Sequence, residues 1–143
     1  MRVLTVIAAL CGLILTIMGA IGAHLIGAPP TGENDPLTAH LVTETALRSW
    51  TSAILFGFVH TLAAIVAARL LTASRLGLIA GWAFIAGVLL FSFSLILKAV
   101  LVSQAPSGDF AAITVVAPVG GVAFMLGWVL VAAAALRAPA RAG

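Results

Sequence analysis

Four stretches of this chain hold almost nothing but apolar residues, and each is about as long as a bilayer is thick. They run over about residues 3–27, 49–71, 76–101 and 116–136. The first carries no charge, and the second closes on Arg69. Between them lie a polar loop over 28–48, a very short turn over 72–75 and a Ser/Gly/Pro-containing loop over 102–115. Crossing about 30 Å of hydrocarbon takes roughly 20 residues of α-helix, and isolated strands would leave backbone groups unpaired in lipid. The pattern therefore predicts an all-α protein, a single transmembrane domain over 1–143 folded as an up-down four-helix bundle.

Composition excludes the soluble reading. Hydrophobic residues make up 63% and charged residues 8%, where an ordinary soluble domain has roughly 45–50% and about 25%. Seven bases and four acids cannot cover a water-facing surface on a chain of this size. The formal charge of +3 rests on so few groups that no basic stripe exists to replace counterions along a phosphate backbone, which excludes a nucleic-acid partner. Cys11 stands alone in an apolar run, so no internal disulfide forms and the thiol reads as a small buried hydrophobe. A cleaved signal peptide is the competing reading of the first stretch, with Arg2 ahead of it and Ala20 and Gly22 near its end. The apolar run is longer than the 7–15 residues usual for such a segment, which favours a retained span.

Basic residues near span ends mark the cytoplasmic side. With the N-terminus inside, that side carries Arg2, Arg69, Arg75, Arg137 and Arg141 and no acid. The outer side then holds Arg48 and Lys98 with all four acids, Glu33, Asp35, Glu44 and Asp109. Both termini are expected in the cytoplasm, in a bacterial inner or a plasma membrane.

Helices associate in lipid through close backbone approach, so small residues at three- and four-residue spacing mark contact faces. The first span offers Gly19, Ala23 and Gly27; the second Ala53, Gly57, Ala64 and Ala68; the third Gly77 and Gly81; the fourth Gly120, Gly121, Ala123 and Gly127. Trp50 and Lys98 suit interfacial and snorkelling positions. Pro118 is expected in the first turn of the fourth span, where a missing N–H costs little. A second reading aims that helix N-terminus at an anion.

Several short motifs, in order and spacing, resemble the small membrane family called domain of unknown function 423, or transmembrane protein 256-like. They are Gly19-Ala20-Ile21-Gly22-Ala23-His24, Trp50-Thr51 with His60, Ala80-Gly81-Trp82, Phe91-Ser92-Phe93-Ser94-Leu95, Pro118-Val119-Gly120-Gly121 and Gly127-Trp128. The chain departs from the family pattern at Phe56-Gly57, where Tyr-Gln is usual, and at Phe93 and Ile96, where glycine and tyrosine are usual. Ala117 replaces a threonine and Lys98 an apolar residue, and the chain has no tyrosine. The resemblance implies fold and topology, the family's function being unestablished. The missing polar groups argue against a shared transport or catalytic role here.

His60 is the most informative side chain, because it falls near the middle of the second span, where a polar group must face the bundle interior and find partners. Thr61, Ser92 and Ser94 are the nearby candidates. A neutral, cross-helix hydrogen-bonded imidazole is the leading reading, ahead of a proton relay or a ligand to metal or haem. His24 lies about 15 Å away in depth, too far to share a metal. In the outer loop, Asp35-Pro36 reads as an N-cap and first helical residue, with His40, Glu44 and Arg48 on one solvated face. No nucleophile stands beside a base, and no cofactor or metal is expected. The function expected is a non-catalytic accessory or assembly subunit, or a homo-oligomer, packing against other membrane helices. The alternative is a small transporter or proton-linked conduit through His60.

Overall fold

The computed structural model describes residues 2–26, 35–70, 75–104 and 110–137. Its helices are α1 (Arg2–Leu25), α2 (Pro36–Leu70), α3 (Arg75–Gly87), a π-helical turn (Val88–Ser92), α4 (Phe93–Gln104) and α5 (Ala111–Arg137). With the π turn bridging α3 and α4 into one rod, four segments among the described residues are long and apolar enough to cross a membrane.

Two boundaries and one internal turn differ from expectation, each for a physical reason. The outer loop over 28–48 is helical from Pro36 onward, and that helix continues without a break into the second span. Asp35 caps it: its Oδ2 accepts from the Thr38 backbone N–H at 2.9 Å and from the Thr38 hydroxyl at 2.6 Å. These bonds hold the exposed Asp35 carboxyl below its ordinary pKa. The Glu44 carboxylate also pairs with Arg48 one turn on. At 1.5 Å per residue, 35 residues make a rod about 52 Å long, well beyond about 30 Å of hydrocarbon. The fourth span begins at Ala111, so Pro118 lies inside α5 and not in its first turn. The helix N-terminus aimed at an anion from Pro118 is thereby overturned. In the third span, the Phe93 N–H bonds to the Val88 carbonyl, five residues back. Where such a ladder returns to four-residue spacing a carbonyl loses its amide, and the Ser94 hydroxyl donates to the carbonyls of Leu90 and Phe91.

Packing follows the small residues. α1 lies mainly on α2, α2 on α3 and α4, and α5 on α3 and the π turn. The Gly12 face meets Thr61 and the Gly19 face meets Ile54. A Cβ on Gly57 would stand 2.8 Å from Leu15, and one on Gly81 2.8 Å from Leu4. Gly77 is buried. On the other side, a Cβ on Gly120 would fall against the backbone of Leu90 and Phe91, and one on Gly127 would enter the ring of Phe84. Gly121 is open by comparison, its nearest neighbour being Phe91 at 4.0 Å. Two notches were not foreseen: Gly22 receives the indole of Trp50, and Gly87 receives the ring of Phe124. Trp50 is therefore buried within the bundle, at 6% exposure. Lys98 is half-buried, and the side chain of Ala23 lies outside the described residues.

Gly120→Ala should force the π turn and α5 apart and lower stability by about 1–3 kcal/mol, the usual cost of overpacking. Gly121→Ala, one residue on, should change it little. Detergent denaturation of both variants checks this; equal effects would contradict the notch.

Candidate functional site

The centre of the molecule is built around His60, which is 6% exposed. α2 places it one turn below Phe56, whose carbonyl lies 2.8 Å from Nδ1. A carbonyl can only accept, so Nδ1 carries the proton. From α5, the Trp128 indole N–H donates to Nε2 at 3.2 Å, so Nε2 is the unprotonated nitrogen. Together the two bonds select the neutral Nδ1–H tautomer and use both polar atoms of the ring.

Aromatic rings enclose the imidazole. Phe124 stacks on it with ring centres 3.6 Å apart and planes within 13°. Phe56 lies near-parallel at 6.0 Å, and Phe84 is tilted at 5.6 Å. Trp128 meets both His60 and Phe84 edge-on. The bare α-carbons of Gly87 and Gly127 make room for the Phe124 and Phe84 rings. Glycine notches and polar link are thus one construction: without the notches α5 could not bring Phe124 and Trp128 to His60.

The expected partners of His60 are placed elsewhere. Ser92 is fully buried beside Gly57, and Ser94 serves the π turn. Thr61 turns its methyl to Gly12. The Oγ atoms of Ser92 and Thr61 and the Trp50 Nε1 are buried with no hydrogen-bond partner among the described residues. Trp128, the actual partner, was noted only beside Gly127 in a family motif. An indole in an apolar stretch reads as bulk, and its N–H becomes informative only once α5 is known to lie along the His60 side of the core. His24 is exposed at the far end of α1. Since Gly12 lies beside Thr61, His24 is about 11 residues, or roughly 16 Å, from the His60 level. Among the described residues, no three His, Cys, Asp or Glu side chains gather as a metal would require.

Apolar grooves flank this core. One of about 540 Å³ lies between α2 and α5 beside His60, lined by Leu55, Val59, Phe91, Phe124 and Met125. A second of about 320 Å³ continues past Trp128 between Leu62, Ala63, Val66 and Val131. A third of about 490 Å³ runs between α1 and α2, over Gly19, Gly22, Leu47, Ile54 and Phe58.

Four apolar spans, a lipid-compatible exterior and a polar link sealed inside define an all-α, four-span integral membrane protein. Within that class, the family model described as "Protein of unknown function (DUF423)" matches residues 18–121, and the chain belongs to that family. The UPF0382 membrane protein YwdK of Bacillus subtilis (strain 168) is 29% identical over 141 residues, covering 96% of this chain and 98% of the relative. No solved structure gives a significant match. The matched residues include His60 and the π turn and end before Trp128.

A double-mutant cycle of His60→Leu and Trp128→Phe should give a coupling near the 0.6 kcal/mol average for hydrogen bonds in membranes, with about 1.7 as an upper bound. His60→Asn should retain more stability than His60→Leu. Strict additivity in denaturation would show that the two rings are independent.

Proposed function

We propose that this chain is a non-catalytic membrane module that packs against helices of other membrane proteins, or further copies of itself, along its α1–α2 side. The carrying observation is the groove between α1 and α2, where Gly19 and Gly22 thin the α1 wall beneath Ile54 and Phe58. Small residues flanked by large apolar ones are what a further membrane helix needs for close approach. The state of His60 supports the same reading, because a ring with both nitrogens engaged inside the fold serves as framework. A proton conduit would need that ring free to exchange partners.

The arginine-bearing end faces the cytoplasm in this reading, supported by its separation from every acid. An impermeant thiol reagent added outside should label Thr45→Cys and spare Leu76→Cys; the reverse would invert the orientation.

Purified in mild detergent, the wild type should carry partner subunits or run as an oligomer. Thr51→Trp, at an exposed position lining that groove, fills it toward the lipid side and should release them while leaving helicity and melting nearly unchanged, whereas Met125→Trp on the α5 side should not. A monomeric wild type without companions, or a Thr51→Trp variant that keeps them, would contradict the proposal.

A further inference from the structure

We propose that a second copy of this chain fills the groove between α1 and α2, its own α2 lying parallel to this one across a two-fold axis along the membrane normal. The inference rests on the docking reading above and names the partner.

Glu44 and Arg48 pair on an exposed face of α2, and ionised groups keep that part of the helix out of hydrocarbon. The stretch that remains, 49–69, is about 30 Å long and fills the hydrocarbon by itself. Residues 36–48 therefore continue as a rod about 20 Å beyond it. That rod carries Leu37 at 65% and Leu41 at 53% exposure, at a height where no lipid tail covers them. One face runs unbroken from the rod into the membrane. Leu37, Leu41, Glu44 and Arg48 follow one another in steps of four, three and four residues. Thr51, Leu55, Phe58 and Leu62 continue with the same alternation. This is the spacing of a seam between two paired helices, kept over more than three heptads. Its membrane half is the α2 wall of the groove, and Gly19 and Gly22 thin the α1 wall opposite, so that a second rod can settle between them.

The seam describes its own occupant. A partner must cross the hydrocarbon, continue about 20 Å further as the same helix, and bring an acid and a base to the height of Glu44 and Arg48. α2 meets all three conditions. In a parallel, two-fold pair, Glu44 has two opposite charges beside it, its own Arg48 and the partner's Arg48, against one like charge, the partner's Glu44. Arg48 stands in the same balance, so the four groups close into one network. Leu37 and Leu41 then meet their counterparts on the water side of that network, and Leu55, Phe58 and Leu62 meet theirs on the membrane side. Two copies inserted in the same orientation present parallel α2 helices, and heptad spacing sets their crossing near 20°.

The test uses the full-length protein in its own membranes, oxidised with copper phenanthroline. Leu37→Cys on the rod and Thr51→Cys in the groove should each give disulfide-linked dimers, because a seam residue meets itself across a two-fold axis. Val129→Cys, on an exposed face of α5, and the parent with its buried Cys11 should not. A charge exchange tests the network separately. Glu44→Arg places two bases on each copy and Arg48→Glu two acids, so each variant alone should lose roughly tenfold in self-association. Co-expressed under different tags, the two variants should pair with each other about as well as the wild type pairs with itself, which a salt bridge within one chain cannot produce. The second copy is ruled out if neither seam cysteine cross-links, if Val129→Cys cross-links as well as they do, or if the two charge variants associate no better together than apart. Companions of a different sequence that Thr51→Trp releases, with no seam cross-link, would overturn this inference and leave the docking reading standing; a monomer without companions would overturn both.

Discussion

A bilayer offers no reward for moving one apolar helix from lipid onto another, so this fold depends on how closely its backbones approach. The approach is set by glycines that face a ring or a neighbouring backbone: Gly22 under Trp50, Gly87 under Phe124, Gly120 against the π turn and Gly127 under Phe84. Three of the four lie in the contact between α5 and the α3 rod. That contact delivers Phe124 and Trp128 to His60 and turns a costly intramembrane imidazole into a satisfied one. The polar link is modest in energy and demanding in geometry. It fixes the rotation of α5 relative to α2, which van der Waals contact between apolar helices leaves loosely specified.

Much of this was legible in the residues. Apolar run lengths located all four spans, and a polar group at mid-depth required His60 to be neutral and bonded across the bundle, as its geometry shows. Of the small residues marked as contact points, Gly57, Gly81, Gly120 and Gly127 lie against neighbouring atoms under 3.0 Å from where a Cβ would be, and Gly121 does not. Spacing alone cannot separate Gly120 from Gly121, since adjacent residues differ by about 100° around the helix and only the neighbour's position decides. Trp128 was missed for the same reason, and Gly87 because its contact is with a ring four residues along α5 from the Gly120 notch.

The π turn was invisible for a different reason. One extra residue in a helical repeat changes no hydrophobic average over a span, yet it reorients everything after it. Here it sends Phe91 toward α5 and buries Ser92 against α2, with Ser94 as its internal cap. The length of α2 was only half legible: Asp35-Pro36 announced a helix start, but nothing in the polar residues up to Arg48 said whether that helix would stop before the membrane. Pro118 misled because proline is most at home in a first turn; α5 instead carries it on an exposed face.

The account rests on His60 being a fixed structural element whose two nitrogens are both occupied. Nitrogen-15 NMR of the histidine-labelled protein in lipid reads this directly, since protonated and unprotonated ring nitrogens resonate far apart. The account predicts a His60 signal with a protonated Nδ1 and an unprotonated Nε2 that does not change between pH 6 and 8, and whose Nε2 shift moves in Trp128→Phe. A His60 that is doubly protonated, carries its proton on Nε2, or is indifferent to Trp128 would contradict it.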